Sequence, residues 1–172
     1  MNKIYIPLAI GQSVPVDVVA NIELQTTKPV VVTCDSPGEV NSEHNYTPLR
    51  IKGEIVSRNM CIDEFLKTTD KYFFIQSRDV IQLKPDNFKN MIKFMDENKD
   101  FGACALRCKG ARDNHIVMAT ICIAREVIEK GFRFVNRYGW CPCMEMMEDI
   151  KALGYKYGYI SLEILVLNGK GN

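Results

Sequence analysis

Two short runs of continuous apolar residues limit the fold of this chain more than any other feature of its sequence. The first is VVV at residues 30–32, and the second is YFFI at residues 72–75. A strand that is apolar at every position is typical of one that is buried on both faces. Segments with helical spacing lie between and after these runs, so the sequence predicts an α/β sheet covered by helices.

The other segments of the chain fit the same architecture. Further strands are predicted at residues 3–10, 101–108, 115–124 and 157–167, and helices at 14–25, 55–69 and 144–155. Ser13 has the position of an N-cap for the first helix, with Pro15 in its first turn. Another amphipathic helix follows LKPD, where an apolar stripe at helical spacing comprises Phe88, Met91, Ile92 and Met95. Residues 36–48 are rich in turn-forming types and are predicted to be a polar loop.

Length and charge exclude several classes of function. A chain of 172 residues is expected to form a single domain over residues 1–172. A net charge of +1 provides no basic field, so nucleic acid is not an expected partner. No segment has the 18–20 apolar residues of a membrane span, and the N-terminus lacks the cleavage pattern of a secretion signal. We therefore expect a cytoplasmic protein.

The seven cysteines agree with that expectation. Their number is odd and several lie in apolar runs, which favours reduced, buried thiols. The pairs Cys104/Cys108 and Cys141/Cys143 offer four thiolates, but neither pair has the C-x2-C spacing of a zinc site. Structural cysteines are the preferred interpretation, with zinc as the alternative.

Polar residues follow the predicted strands where those strands end. Asp35 follows VVVTC, residues 76–79 (QSRD) follow YFFI, and Arg58 with Asn59 lies between these strands. Ligands of open α/β sheets bind outside the carboxyl ends of the strands. Taken by itself, this pattern predicts an α/β domain that binds a small molecule at one edge of its sheet.

The order and spacing of these segments resemble a family 2 glycosyltransferase of the GT-A fold, over about residues 3–160. The similarity is carried by IPLAI, by VVVTCDSPG, by SRN, by YFFIQSRDV with the helix that follows LKPD, and by MEMMEDIKALGYKYGYI. The resemblance implies a three-layer α/β/α sandwich with a mixed, mostly parallel sheet. It also implies transfer of a sugar from a nucleotide-diphosphate donor to an acceptor, which the sequence does not identify.

The resemblance assigns donor binding to seven residues: Pro7, Asp35, Arg58, Asn59, Gln76, Arg78 and Asp79. Asp35 would accept hydrogen bonds from the base or ribose, and its alternative role is to cap the SPG turn. Arg58 and Asn59 would contact the nucleotide, and the alternative for Arg58 is a solvent-exposed residue that opens a helix.

The metal-binding Asp-x-Asp motif of the family is altered in this chain, because Gln76 and Arg78 occupy its two acidic positions. A guanidinium binds phosphate in a bidentate manner and stands where the cation would lie. The hypothesis is therefore that Arg78 takes part of the metal's role, so that Mg²⁺ or Mn²⁺ binding is weakened and no cofactor is certain. In the alternative, Arg78 pairs with Asp79 or another surface acid and the site does not function.

The family's second acidic motif is altered as well. Counting back from LGY places its acidic pair at Pro142 and Cys143, so Glu145 is the nearest candidate for the catalytic base. A glutamate in the first turn of a helix is also favoured by the helix dipole alone. Trp140 is assigned to acceptor binding, with packing as its alternative.

Three functions are consistent with these residues. Glycosyl transfer is the leading prediction, and a non-catalytic relative that binds a nucleotide, glycan or protein is the alternative. A nucleotidyltransferase is disfavoured because no glycine-rich phosphate loop follows the first strand.

Overall fold

The computed structural model describes residues 3–9, 11–35, 48–108, 119–137 and 142–166. Its elements in chain order are β1 (Lys3–Leu8), α1 (Val16–Glu23), β2 (Val30–Asp35), α2 (Pro48–Leu66), β3 (Tyr72–Gln76), β4 (Val80–Gln82), α3 (Asn87–Glu97), β5 (Phe101–Cys108), β6 (Thr120–Ala124), α4 (Arg125–Glu129), α5 (Pro142–Ala152) and β7 (Lys156–Val166).

The strands form one seven-stranded sheet in the order β2-β1-β3-β6-β5-β7-β4. Strand β1 is parallel to β2 and β3, and β7 is parallel to β5. Strand β6 is antiparallel to both β3 and β5, and β4 is antiparallel to β7. All strands except β6 and β4 therefore run in one direction, and the predicted mixed, mostly parallel sheet is confirmed.

Helices cover both faces of this sheet. Successive residues of a strand point to opposite faces, so Phe73 and Phe74 of β3 face different layers. Phe73 packs against Phe65 of α2 at 5.3 Å between ring centroids, whereas Phe74 packs against Phe88 of α3 at 5.6 Å. These side chains are at most 2% exposed, and burial of each contributes about 1.5–3 kcal/mol. The continuous apolar run at β3 is thus explained by helices on both sides. The predicted burial of VVV on both faces was wrong, because β2 is an edge strand in which Val30 is exposed and Val31 and Val32 are half-buried.

Several elements differ from those predicted. Helix α2 begins at Pro48, seven residues before the predicted start, because proline at the first helical position has no N–H that needs a partner. The prediction that Ser13 is the N-cap of α1 was wrong, because Pro15 occupies the N-cap position, with an extended backbone of ψ 140°. Strand β4 and the short helix α4 were not predicted, because their apolar patterns are only a few residues long.

Helix α5 ends at Ala152, three residues before the predicted end. Gly154 adopts a positive φ of 86°, and its N–H bonds to the carbonyl of Lys151 at 2.9 Å. The N–H of Tyr155 bonds to the carbonyl of Ile150 at 3.1 Å. These bonds satisfy carbonyls at the helix end, and the left-handed conformation that they need is one that glycine adopts without strain.

The cysteine prediction agrees with the five whose side chains the structure describes: Cys34, Cys61, Cys104, Cys122 and Cys143 are all buried, and the first four are free. Within the described ranges, no cluster of three or more His, Cys, Asp or Glu side chains could hold a metal ion. The described helices also include none that is long and apolar enough to cross a bilayer.

Candidate functional site

The parallel strands bring three of the predicted segments to one edge of the sheet. Leu8, the last residue of β1, is in register with Asp35, the last residue of β2. On the other side of β1, Tyr5 is in register with Ile75, which precedes Gln76 at the end of β3. We call the ends of these three strands, with Pro7, Asp35 and residues 76–79, the carboxyl edge.

Asp35 and Pro7 lie on neighbouring strands of the carboxyl edge. The Asp35 side chain is exposed, whereas Pro7 is half-buried and in register with Cys34. An exposed carboxylate at this position is free to accept hydrogen bonds from a ligand that lies over the strand ends. The SPG turn of the alternative role lies outside the described residues.

Gln76, in contrast, points away from the carboxyl edge into the protein. Its side chain is fully buried, and its Nε2 donates to the carbonyl of Val80 at 3.0 Å. Its Oε1 accepts from Gln82 Nε2 at 2.6 Å and from Thr120 Oγ1 at 3.4 Å. Both polar atoms of the amide are therefore bonded to protein groups, and the amide holds the turn between β3 and β4 rather than facing a ligand.

Gln76 belongs to a larger buried network that anchors β4. Gln82 Oε1 accepts from Asn87 Nδ2 at 2.7 Å, and Gln82 Nε2 also donates to Thr120 Oγ1 at 3.0 Å. The backbone of Gln82 exchanges two hydrogen bonds with the side chain of Asn21 on α1, at 2.6 and 2.9 Å. All of these side chains are uncharged amides or hydroxyls, so the turn is fixed without any titrating group.

Arg78 lies at the tip of the turn that this network supports. The side chain is partly exposed, and its Nη1 donates to the carbonyl of Ser13 at 3.3 Å, across the edge of the sheet. Within the described residues Arg78 forms no ion pair, and Asp79 beside it is also partly exposed. The guanidinium therefore connects the β3–β4 turn to the segment after β1 and retains donors for a ligand.

Residues 76, 78 and 79 do not fit a divalent cation. A magnesium or manganese site needs carboxylate or other oxygen ligands around one point. Gln76 Oε1 is already bonded inside the protein, Arg78 is a cation, and Asp79 is the remaining carboxylate of the segment. We therefore derive no step through a bound metal ion.

Asn59 lies on α2 and binds the segment before α5. Its Nδ2 donates to the carbonyl of Phe134, and its Oδ1 accepts from the N–H of the same residue, each at 2.9 Å. This reciprocal pair replaces the two bonds that a neighbouring strand would make. Both polar ends of the Asn59 amide are thus used within the protein.

Arg58 is buried next to the same segment, with only 2% of its surface exposed. Its Nη2 bonds to Glu54 Oε1 at 2.8 Å, and the guanidinium lies 5.8 Å from the ring centroid of Phe134. Its Nε and Nη1 have no acceptor among the described residues. The alternative of a solvent-exposed arginine that opens a helix is therefore wrong, since Arg58 lies in the middle of α2.

Glu145 is on the first turn of α5, as predicted, and is 1% exposed. Its Oε2 accepts the backbone N–H of Arg137 at 2.8 Å, with Arg137 Nε at 3.8 Å. Asp149, one turn later, accepts from Arg137 Nη2 at 2.7 Å. The two carboxylates hold Arg137 against α5 in this structure. Trp140 lies outside the described residues.

Sequence reasoning missed the amide network and the role of Arg137. Polar residues inside otherwise apolar strands were the available signal, at Gln82 in VIQL and Thr120 in ATICIA. Buried polar side chains are nearly always hydrogen-bonded, so two such residues indicate partners elsewhere in the core.

Comparisons with known proteins identify the fold. No family model matches the chain, and no curated protein matches it in sequence. The mannosyltransferase PcManGT from Pyrobaculum calidifontis, solved with GDP-Man and Mn²⁺, matches 99% of this chain with a TM-score of 0.69 and 14% identity. The fold is GT-A-like. TarS of S. aureus matches 96% of the chain, with a TM-score of 0.65 and 9% identity.

A third neighbour is similar in length to this chain. It is a glycosyltransferase involved in glycosylation of the major capsid of PBCV-1, and it matches 98% of this chain and 96% of its own, with a TM-score of 0.55 and 10% identity. This chain spans only 58% of the mannosyltransferase and 36% of TarS. At these identities the likeness shows the GT-A-like fold, which confirms the predicted fold class.

Proposed function

We propose that this protein binds a nucleotide-diphosphate sugar at the carboxyl edge and transfers the sugar to an acceptor. The observation that carries the proposal is the position of Arg78, whose side chain extends from the β3–β4 turn and donates a hydrogen bond to the Ser13 carbonyl. Asp35 is exposed on the other side of β1 at the same edge. A cation and a carboxylate on either side of one strand end suit a diphosphate joined to a ribose or base.

Arg78 has the chemistry that the reaction requires. When the glycosidic bond to the diphosphate breaks, negative charge builds on the departing oxygen, and a fixed cation nearby stabilises it. A guanidinium donates two parallel N–H bonds to phosphate, and hydrogen bonds to charged groups contribute about 1.5–3 kcal/mol each. We propose that this charge replaces part of the metal's effect and that donor binding depends weakly on Mg²⁺ or Mn²⁺.

The other assigned residues have separate roles in this proposal. Asp35 accepts hydrogen bonds from the base or ribose, and Pro7 shapes the adjoining strand end. Asp79 and Gln76 act through the turn that presents Arg78, and Gln76 does so from inside the protein. Arg58 and Asn59 act on the donor site indirectly in this proposal, since both already contact Phe134 within the protein.

The acceptor side of the proposal depends on Glu145 as the base and on Trp140 as an acceptor contact. In the described structure the Glu145 carboxylate is bonded to the N–H of Arg137. Proton abstraction from an acceptor hydroxyl therefore requires that Arg137 move away or that the second carboxylate oxygen, Oε1, face the acceptor.

The same observation favours a second candidate function, a non-catalytic module that binds a nucleotide or glycan. A carboxylate that is 1% exposed and accepts the N–H of Arg137, in the segment before its helix, is well explained by structure alone. In that case the carboxyl edge binds a ligand and no transfer follows.

Calorimetry with UDP and GDP, each with Mn²⁺ and with EDTA, tests the donor site. We expect binding that persists in EDTA and is weakened at least tenfold, about 1.4 kcal/mol, by Arg78→Gln. Lys93→Gln is the matched control, because Lys93 is an exposed cation on α3 with a partner of its own, Glu97. Affinity that vanishes on chelation, or that Arg78→Gln leaves unchanged, would contradict the proposal.

Hydrolysis of UDP- or GDP-sugars without an acceptor then separates the two functions. Turnover in the wild type that Glu145→Gln abolishes, with donor affinity retained, supports the enzyme. Gln at 145 keeps an oxygen that can accept the Arg137 N–H, so the fold is expected to remain. Donor binding without turnover supports the binding module.

A further inference from the structure

A pocket lies at the opposite end of the strands from the carboxyl edge. It has a volume of about 330 Å³ and lies next to the first residues of β3 and β5 and the last turn of α3. Its floor is apolar and is formed by Tyr72, Met95, Phe101 and Ala124. Ligand pockets run from about 300 to 1,000 Å³, so this pocket has room for a body of about one aromatic ring.

Two lysines on one rim of this pocket share a single carboxylate. Lys71 and Lys99 both donate to Oδ1 of Asp96, the latter at 3.0 Å, and the Tyr72 hydroxyl donates to the same oxygen at 2.8 Å. These hydrogen bonds, of which the one from Lys71 has the largest effect, hold the pKa of Asp96 well below its ordinary value. The same bond raises the pKa of Lys71. Two ammonium groups against one carboxylate leave an excess of one positive charge.

Both lysines have N–H groups to spare. An ammonium has three donors. Lys71 uses one of them on Asp96, and Lys99 uses one on Asp96 and one on the carbonyl of Met95 at 3.5 Å. Their side chains are 63% and 64% exposed, so the remaining donors can reach a ligand in the pocket.

The opposite rim limits the charge of such a ligand. Arg125 there is occupied by structure, since it donates to the carbonyls of Asp70 and Thr68 and pairs with Glu129. Glu126 adds a second, exposed carboxylate to that rim. Because Arg125 compensates the charge of Glu129, the carboxylate of Glu126 is the main repulsive group, and it repels a ligand with several negative charges more strongly than one whose single charge lies beside the lysines.

We propose that this pocket binds a monoanion with an apolar body, a carboxylate carried on one ring or a short alkyl chain. The body lies on Phe101 and Met95, and the carboxylate accepts the spare N–H groups of Lys71 and Lys99. The site is independent of the carboxyl edge, because its residues lie at the other end of the strands.

NMR titration of ¹⁵N-labelled protein with 3-phenylpropionate tests the site, with the neutral 3-phenylpropionamide and the dianion phenyl phosphate as comparisons. We expect saturable shift changes at Tyr72 and Phe101, and about tenfold weaker binding of the amide. Lys71→Gln/Lys99→Gln should reduce carboxylate binding to the level of the amide. Lys67→Gln/Lys93→Gln, with the same loss of charge at exposed lysines outside the pocket, should leave it unchanged.

Three results would overturn the proposal: no saturable binding, equal affinity for carboxylate and amide, or tighter binding of phenyl phosphate. Carboxylate affinity that stays above the affinity for the amide in the Lys71/Lys99 variant would overturn it as well. Because the four lysines are largely exposed, neither double variant is expected to unfold the protein. Arg78→Gln should leave this titration unchanged, which separates its outcome from that of the donor site.

Discussion

Replacement of Asn59 by alanine distinguishes a structural residue from a donor contact. The side chain exchanges two hydrogen bonds of 2.9 Å with the backbone of Phe134, so the variant leaves one N–H and one carbonyl without partners. A net hydrogen bond contributes about 0.5–1.5 kcal/mol, and the loss of two predicts a destabilisation of about 2 kcal/mol. For a chain of this length that corresponds to a melting temperature about 4–8 °C lower.

The control for this variant is Asn90→Ala. Asn90 is a half-buried asparagine of α3 for which the structure shows no side-chain hydrogen bond, so both variants gain the same helix propensity. Asn59→Asp is an intermediate case, because it retains the acceptor for the Phe134 N–H and loses the donor. We expect about half of the alanine effect.

Thermal unfolding and nucleotide calorimetry on the same preparations distinguish a structural role of Asn59 from a donor contact. If the role of Asn59 is structural, the melting temperature of Asn59→Ala should be well below that of Asn90→Ala. The melting temperature of Asn59→Asp should lie between the two. Equal melting temperatures together with a loss of nucleotide affinity only in Asn59→Ala would refute this reasoning and make Asn59 a direct donor contact.

Three further predictions test the described core and surface. Tyr5 is 1% exposed, its hydroxyl has no partner among the described residues, and burial raises its pKa to about 12. Tyr5→Phe should therefore stabilise the protein by about 1 kcal/mol in urea unfolding and remove one tyrosine that ionises near pH 12. A Cβ at Gly102 would lie 2.7 Å from Val127 Cγ2 and 2.8 Å from Tyr155 Cβ, so Gly102→Ala should cost about 1–3 kcal/mol; an unchanged urea midpoint would contradict this packing. The pKa of Asp96 is lower in the folded state than its unfolded value of about 3.9, so its contribution is present above that pH and lost as the pH falls through the folded-state pKa. The melting temperature of Asp96→Asn should be below that of the wild type at pH 7, and the difference should shrink below about pH 4.

The fold was largely predictable because its strands and helices differ in residue pattern. Strand β3 is apolar at four successive positions and is buried on both faces, as that pattern predicts. Helix α3 has Phe88, Met91 and Met95 buried on one face, as their spacing predicts. The missed elements, β4 and α4, are three and five residues long. Such segments carry too few residues for a period to appear, and their conformation depends on tertiary contacts.

The candidate site was less predictable, because side-chain direction is not encoded by position along a strand end. The positions of Asp35 and Gln76 at the ends of neighbouring strands follow from the parallel sheet. The burial of Gln76 depends on β4 and on Gln82, which bonds to Gln76 from six residues away, whereas Asp35 is exposed at the end of the edge strand β2. The burial of Arg58 depends in the same way on Phe134, a residue distant in sequence.

The residues at positions 76 and 78 are physically linked. A carboxylate in place of Gln76 would be buried among amides and a hydroxyl with no cation in contact, and burial of an unpaired charge is costly. The neutral amide satisfies the same surroundings, and it fixes the turn so that position 78 is carried to the surface beside Ser13. The two residues therefore form one arrangement, in which Gln76 builds the turn and Arg78 supplies a positive charge at its tip.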